Sequence, residues 1–196
     1  MNQGIFFGGL MPPFFYEKRT PKALACLNRQ MAGRRFDSAL MLGTTARCRF
    51  GRPRVIVCSP LGKGFAPFPT TFWLSCPWLV RVIGALEASG GVKELELWLT
   101  HRSVKSWRSY NREHQRLRLA LLSRERRAYL SAFKPEVWER LRTAGVGGIS
   151  YGFEVNVKCL HLQTASWLAL GRHPGVAWLE EKGLAEDCKG QGCVVC

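Results

Sequence analysis

The segment from Asn156 to about Leu170 constrains the fold most, because apolar residues cover nearly the whole circumference of the helix that it predicts. These residues are Leu160, Leu162, Ala165, Trp167, Leu168, Ala169 and Leu170. A surface helix keeps a polar face, whereas a helix that is apolar on nearly all sides is enclosed by other elements. The sequence therefore predicts one buried central helix, capped by Asn156 and ended by Gly171.

Around this helix the sequence predicts a small antiparallel sheet and several further helices. Strand-like segments occur at 38–50, 54–59 and 70–75, and Gly51-Arg52-Pro53 is typical of the turn in a hairpin. Helices are expected at 20–31, from Cys76-Pro77 to Gly90, at 103–122 and at 135–142, while 92–99 fits either a helix or a strand. The expected fold class is α+β, with two or three strands, four to six helices and one buried central helix.

A chain of 196 residues suits one compact domain, which we place at residues 20–179. Residues 1–19, rich in Gly, Pro and Phe, are expected to form a flexible arm, and residues 180–196 a tail that contains Cys188, Cys193 and Cys196. No apolar run approaches the roughly 20 residues of a membrane helix, and no signal peptide is recognisable, which predicts a cytoplasmic protein. In that reducing compartment, cysteines serve metal binding, catalysis or simple burial rather than disulfides.

Three of the eight cysteines stand at the ends of predicted elements. Cys48 ends a strand, Cys76 caps one helix, and Cys159 lies in the first turn of another. The positive end of a helix favours the thiolate, so lowered pKa values are expected for the Cys76 and Cys159 thiols. With His161 or a tail cysteine as fourth ligand, these residues are predicted to bind one metal, either zinc or an iron–sulfur cluster. A hydrogen-bonded core histidine is the alternative interpretation of His161, and Cys26 and Cys58 are expected to be simply buried.

Two other functions remain open at this point. The formal net charge is +15, and the excess lies in residues 1–54 and 101–142. The predicted helix 103–122 places Trp107, Tyr110, His114, Leu117 and Leu121 on one face, and Lys105, Arg108, Arg112 and Arg116 on the other. That basic face suits nucleic acid or another polyanion, although a solvated helix face explains it equally. The third candidate is a cysteine-dependent enzyme with Cys76 or Cys159 as nucleophile and His161 or His114 as base.

Several short motifs occur along residues 28–178. The first half contains Cys48-x-x-Gly51-x-Pro53, then Pro67-Phe68-Pro69-Thr70 and Trp73-Leu74-Ser75-Cys76-Pro77. The second half contains Gly147-Gly148, Val157-Lys158-Cys159-Leu160-His161 and Pro174-Gly175-Val176. Together they resemble domain of unknown function family 501. The resemblance implies a small bacterial cytoplasmic protein without an established activity, and it carries over Cys48, Cys76, Cys159 and His161. The basic segment 118–142 and the Phe-rich arm depart from the family pattern.

Overall fold

The computed structural model describes residues 2–5 and 12–189, and its sheet has five antiparallel strands within them. The strands are β1 (Asn2–Ile5), β2 (Phe14–Lys18), β3 (Met41–Arg47), β4 (Pro53–Cys58) and β5 (Phe72–Leu74). Each strand pairs with the next one along the chain. The predicted hairpin is confirmed, since Thr45 of β3 faces Val55 of β4 and Gly51 lies in the turn between them. The α+β class is confirmed as well.

The two strands that we did not predict come from the segment interpreted as a flexible arm. Phe14 and Tyr16 of β2 are buried, and the ring centroid of Phe14 lies 5.3 Å from that of Phe72. β2 approaches β3 so closely that a Cβ atom on Gly43 would lie 2.0 Å from the carbonyl oxygen of Glu17, which requires glycine there. The Gly- and Pro-rich composition suggested a loose segment, whereas its alternating aromatic residues anchor it in the core. Residues 1 and 6–11 of that segment lie outside the described residues.

Eight α-helices occur in the described residues, more than the four to six predicted. They are α1 (Pro21–Gln30), α2 (Pro77–Ala88), α3 (Gly91–Arg102), α4 (Val104–Ala120), α5 (Arg124–Phe133), α6 (Pro135–Thr143), α7 (Leu160–Leu170) and α8 (Val176–Glu181). The ambiguous segment 92–99 belongs to α3. We did not predict α5 or α8, because α5 buries only Leu130 and α8 is too short for a clear periodicity. None of these eight helices is long and apolar enough to cross a membrane.

The central helix is confirmed as α7, with a corrected start. Its buried residues are Leu160, Leu162, Gln163, Thr164, Ala165, Ser166 and Trp167. The helix packs against β4, β5 and α2. It begins at Leu160 with Cys159 as N-cap, rather than near Asn156, because Lys158 has a φ of +68°, outside the helical region. Gly171, with a φ of +66°, ends the helix as expected.

Strand β4 is buried on both faces because the main core around α7 covers one face and α1 with neighbouring loops covers the other. Val55 and Val57 belong to the main core around α7, whereas Ile56 and Cys58 pack in a smaller core with Leu27 of α1. Side chains alternate between the two faces of a strand, so this single segment contributes to both cores. The expected simple burial of Cys58 is confirmed, as is that of Cys26.

Arg118 of α4 is fully buried and fixes the end of α6. Its guanidinium donates hydrogen bonds to the carbonyl oxygens of Leu141 at 3.0 Å and Ala144 at 2.7 Å, and to that of Gly145. These carbonyl groups carry the partial negative charge of a helix C-terminus, which favours a cation. Burial still lowers the pKa of Arg118 to about 10. One residue of the basic segment therefore serves the fold rather than the surface.

Two histidines are enclosed in the core beside α4 and α7. Nδ1 of His173 accepts a hydrogen bond from the Gly175 amide at 2.9 Å, and its Nε2 lies 3.0 Å from Gln163 Oε1. The ring is therefore neutral, with its hydrogen on Nε2. Burial lowers the pKa of His173 to about 3, and burial, with a smaller effect of Arg118, lowers that of His114 well below its usual value. His114 lies in the core as predicted, but its Nε2 has no partner among the described residues.

We expect the protein to lose stability as the pH falls below about 6.5, the usual pKa of a histidine. There the unfolded chain gains a proton on His173 while the folded chain does not, so the free energy of unfolding falls by about 1.4 kcal/mol per pH unit for each such histidine. His173→Asn keeps an acceptor for the Gly175 amide and should reduce this dependence. Urea unfolding between about pH 4 and pH 7 measures it. Identical pH dependence of variant and wild type would contradict the explanation.

Candidate functional site

The four residues predicted to bind a metal have different neighbours in the structure. Cys48 follows β3 and Cys76 is the N-cap of α2, and the charge of Cys48 is among the influences that raise the pKa of Cys76. Cys159 and His161 instead lie at the start of α7, next to Glu87. Within residues 2–5 and 12–189, no group of three or more His, Cys, Asp or Glu side chains is placed to hold a metal ion. The described residues do not assemble the predicted four-ligand site.

Both ring nitrogens of His161 already contact protein groups. Nδ1 lies 3.1 Å from Oε2 of Glu87, and Nε2 lies 3.1 Å from the carbonyl oxygen of Val80. Both partners are hydrogen-bond acceptors, and a metal needs a free lone pair on one of these nitrogens. The alternative interpretation of His161 as a hydrogen-bonded histidine of the fold therefore describes it better than ligation does.

The described part of the tail packs beside the turn that carries Cys48. Oδ2 of Asp187 accepts a hydrogen bond from the Arg49 amide at 3.0 Å, and its Oδ1 lies 3.5 Å from Nη1 of Arg54. Leu184 is buried in the main core. Residues 184–188 are thus in contact with the domain, and Cys188 is half-buried. The other predicted tail ligands, Cys193 and Cys196, lie outside the described residues.

The thiols at the helix ends do not have the lowered pKa values that we predicted. Burial raises the pKa of Cys76, although the amides of Leu79 and Trp78 act in the opposite direction. Burial likewise raises the pKa of Cys159, outweighing the amides of Leu162 and His161. The helix end stabilises a thiolate, but removing the sulfur from water costs more. A raised pKa leaves less thiolate near neutral pH, which is the opposite of the effect that was expected at these helix ends.

A cavity of about 450 Å³ lies between β5 and the start of α7. Its lining residues are Arg34, Thr70, Phe72, Trp73, Leu74, Val80, Lys158, Cys159, His161 and Leu162. Most of the wall is apolar or aromatic, and no carboxylate side chain belongs to this described lining. The volume falls within the range of roughly 300–1,000 Å³ that is typical of small-molecule sites.

Two cations line this cavity at fixed positions. Nη1 of Arg34 donates to the Leu74 carbonyl oxygen at 2.9 Å, and Nζ of Lys158 donates to the Gly147 carbonyl oxygen at 2.8 Å. Neither side chain forms an ion pair with another described residue. A guanidinium has five N–H donors and an ammonium three, so further donors remain on both. The cavity therefore combines apolar walls with two cations that have no acidic partner.

The backbone near Lys158 is built for close packing around this cavity. Gly147 has a φ of +59°, and a Cβ atom there would lie 2.2 Å from Cδ2 of Leu162. Gly148 lies against Pro69, so the glycine pair joins the start of α7 to the loop before β5. Lys158 itself has a φ of +68°, a conformation that costs a non-glycine residue energy and is found preferentially at functional sites. Three of the motifs noted in the sequence thus meet beside the cavity.

Glu87 of α2 holds the N-terminus of α7. Its Oε1 accepts hydrogen bonds from the amides of Leu160 and His161, and its Oε2 contacts the His161 ring. The first amides of a helix have no partner inside the helix, so this carboxylate acts as the cap that Cys159 does not provide. The contact fixes the residues that form one wall of the cavity.

Arg34, Glu87 and Lys158 were not among the predicted site residues. Lys158 lies in the Val157–His161 motif, next to Cys159, and no other feature of the sequence indicated it. Arg34 and Glu87 have no signal of their own, because they reach the start of α7 only through the folding of distant segments.

The basic face of α4 largely follows the prediction. Trp107, Tyr110 and Leu117 are buried and Leu121 is half-buried. On the other face, Lys105, Arg112 and Arg116 are exposed, whereas Arg108 is half-buried and donates to the Phe153 carbonyl oxygen at 3.2 Å. Binding of nucleic acid to this face remains a prediction.

Comparison with known proteins gives one match. A family model described as Protein of unknown function (DUF501) matches residues 44–181. This region contains every residue that lines the cavity except Arg34. No curated protein and no solved structure matches the chain.

Replacing Glu87 by Gln should lower the free energy of unfolding by about 2 kcal/mol, because a charged cap with two amide partners is lost. Urea denaturation followed by circular dichroism measures the change. Glu181→Gln, at an exposed site in α8, serves as the matched control and should remain close to wild type. Equal effects of the two substitutions would contradict the capping role of Glu87.

The raised pKa values of Cys76 and Cys159 predict slow alkylation by iodoacetamide near neutral pH, slower than that of free glutathione, because the thiolate is the reacting form. Cys58, which is fully buried, should react most slowly of the three. Peptide mass spectrometry after timed quenching gives each rate. A rate for Cys159 above that of glutathione would contradict this prediction and favour the cysteine-enzyme alternative.

Proposed function

The chain belongs to the DUF501 family, and we propose that it binds a small organic anion in the cavity between β5 and the start of α7. The observation that supports this function is the pair of cations, Arg34 and Lys158, in one otherwise largely apolar cavity. A ligand that suits it carries a phosphate or carboxylate group on a flat apolar body. The anionic group would meet the two cations, and the apolar body would lie against the aromatic wall.

Electrostatics favour this class of ligand. Burial lowers the pKa of Arg34, and no ion pair with a described residue offsets the cost of burying its charge. An anion between Arg34 and Lys158 would supply that partner through charge-assisted hydrogen bonds, which are stronger than neutral ones. The carbonyl contacts already hold both side chains, so less conformational freedom is lost when a ligand binds.

The aromatic residues of the cavity wall, Phe72 and Trp73, suit the apolar part of such a ligand. Trp73 packs against Phe68 and Phe36 at ring-centroid distances of 6.0 and 5.3 Å, and these two contacts fix the position of its ring. Its indole N–H is buried and has no hydrogen-bond partner among the described residues. Aromatic residues with a polar group of this kind are frequent in small-molecule sites.

Catalysis and metal binding are not part of this proposal. Cys159 lies in the cavity wall, but burial raises the pKa of its thiol. Both ring nitrogens of His161 contact other protein groups, so this histidine is not placed as a base for the thiol. Binding of zinc or an iron–sulfur cluster through Cys48, Cys76, Cys159 and His161 stays a prediction, and the family match does not bear on it.

Binding of 1-naphthyl phosphate, compared with that of 1-naphthol, tests the proposal by isothermal titration calorimetry. The phosphate should bind more tightly, and Arg34→Gln or Lys158→Met should each weaken it by about tenfold, or 1.4 kcal/mol. Binding of 1-naphthol should change little in these variants, because it has no anionic group.

Two control variants remove a positive charge elsewhere. Arg35→Gln changes the exposed neighbour of Arg34, and Lys93→Met changes an exposed lysine of α3, so neither should alter binding. Circular dichroism checks that every variant is folded. Equal affinity for the two naphthyl compounds, or equal losses in site and control variants, would contradict the proposed function.

A further inference from the structure

Three exposed aromatic rings contact one another in series on the surface, one pair stacked and the other tilted, and we call this group the aromatic ladder. It consists of Phe65, Tyr129 and Phe133, whose side chains are 37%, 40% and 68% exposed. The ring centroids of Phe65 and Tyr129 are 5.0 Å apart, and those of Tyr129 and Phe133 are 5.2 Å apart. Single exposed aromatic residues are common on protein surfaces, whereas an ordered group of three is a feature of binding surfaces.

The ladder joins two segments that are distant in the sequence. Phe65 ends a short helical turn between β4 and β5, where its φ of +64° is unfavourable for an aromatic residue. Tyr129 and Phe133 lie one turn apart on α5 and therefore on the same face of that helix. On the inner side, Leu130 packs with Leu61, which fastens α5 to the loop that carries Phe65. The rings are thus held in place by the fold and remain accessible.

The surroundings of the ladder are strongly basic. The exposed cations of its two segments are Lys63, Arg124, Arg126, Arg127 and Lys134. None of them forms an ion pair with another described residue. The only acidic residue in 123–134 is Glu125, one helical turn before Tyr129 on the same face, and four basic residues in this stretch leave it a net charge of +3. A partner that covers the ladder must be both anionic and able to pack flat groups against aromatic rings.

We infer that the aromatic ladder binds single-stranded nucleic acid, with bases stacked on the outer rings and phosphates near the surrounding cations. Phe65 and Phe133 are the end members of the ladder, since each contacts Tyr129, and Phe133 is the most exposed of the three rings. Base faces are accessible in single strands but covered by neighbouring pairs in a duplex, and proteins that bind single strands combine aromatic rings with basic grooves. This surface is separate from the cavity of the proposed function, and it differs from α4, whose Trp107 and Tyr110 are buried.

Fluorescence anisotropy with a fluorescein-labelled oligothymidylate of about twelve nucleotides tests this inference. Phe133→Ala and the double substitution of Phe65 and Phe133 by Ala should weaken binding by about tenfold or more, since each stacked base contributes substantially. Phe153→Ala is the matched control, because Phe153 is 92% exposed and makes no contact with the ladder rings. A duplex of the same length should bind more weakly than the single strand.

The charged residues give a second, independent measurement. Arg126→Ser with Arg127→Ser should reduce the slope of log affinity against log salt concentration by about 1.4, roughly 0.7 for each phosphate contact. Arg29→Ser with Lys93→Ser removes the same charge from other exposed sites and should leave the slope nearly unchanged. Cosedimentation with phosphatidylserine vesicles tests a membrane surface as the alternative partner. Each of three results would overturn the inference: unchanged oligonucleotide affinity in both ladder variants, equal binding of duplex and single strand, or ladder variants that lose binding to the vesicles but keep their affinity for the oligonucleotide.

Discussion

The hydrogen bonds between Glu87 and the start of α7 join helix α2 to the central helix, around which the main core is built. α7 packs against β4, β5 and α2, and its first amides, at a partly buried helix end, have no acceptor within the helix. Glu87 supplies that acceptor from the last turn of α2. The same carboxylate contacts the His161 ring, and Lys158 and Cys159 precede the helix directly. One side chain of α2 thus connects the start of the central helix with residues of the cavity wall.

Competition between burial and helix ends explains why the cysteines differ from expectation. A thiol at a helix N-terminus gains from nearby amides, but the gain is local, whereas desolvation grows with every atom that surrounds the sulfur. Cys76 caps α2 as predicted, and Cys159 is the N-cap of α7 rather than a residue of its first turn, but burial raises the pKa of both thiols. A sequence shows where a cysteine lies along a helix or strand. It does not show how many atoms of the folded protein surround the sulfur.

The sequence predicted the features that depend on local periodicity. The buried helix α7, the amphipathic helix α4 and the hairpin of β3 and β4 each have a pattern confined to neighbouring residues. β1 and β2 were missed because their stability comes from pairing with β3 and from contacts such as Phe14 with Phe72. The cavity was not predicted; Cys159 and His161 in its wall were expected only as metal ligands, and Arg34 arrives from a segment more than a hundred residues before them. The aromatic ladder was not predicted for the same reason, since Phe65 and Tyr129 are distant in the sequence and meet only in the folded chain.

The buried guanidinium of Arg118 ties α4 to the end of the basic segment 118–142. Its partners are carbonyl groups at the end of α6 and just beyond it, so α5 and α6 are bound to the domain through its interior as well as its surface. A chain that lost these two helices would leave a cation in an apolar core without acceptors, at a large cost in stability. Removal of this segment would therefore need a simultaneous replacement at position 118. The basic segment is thus an integral part of the domain, and it lies inside residues 44–181, which the family model matches.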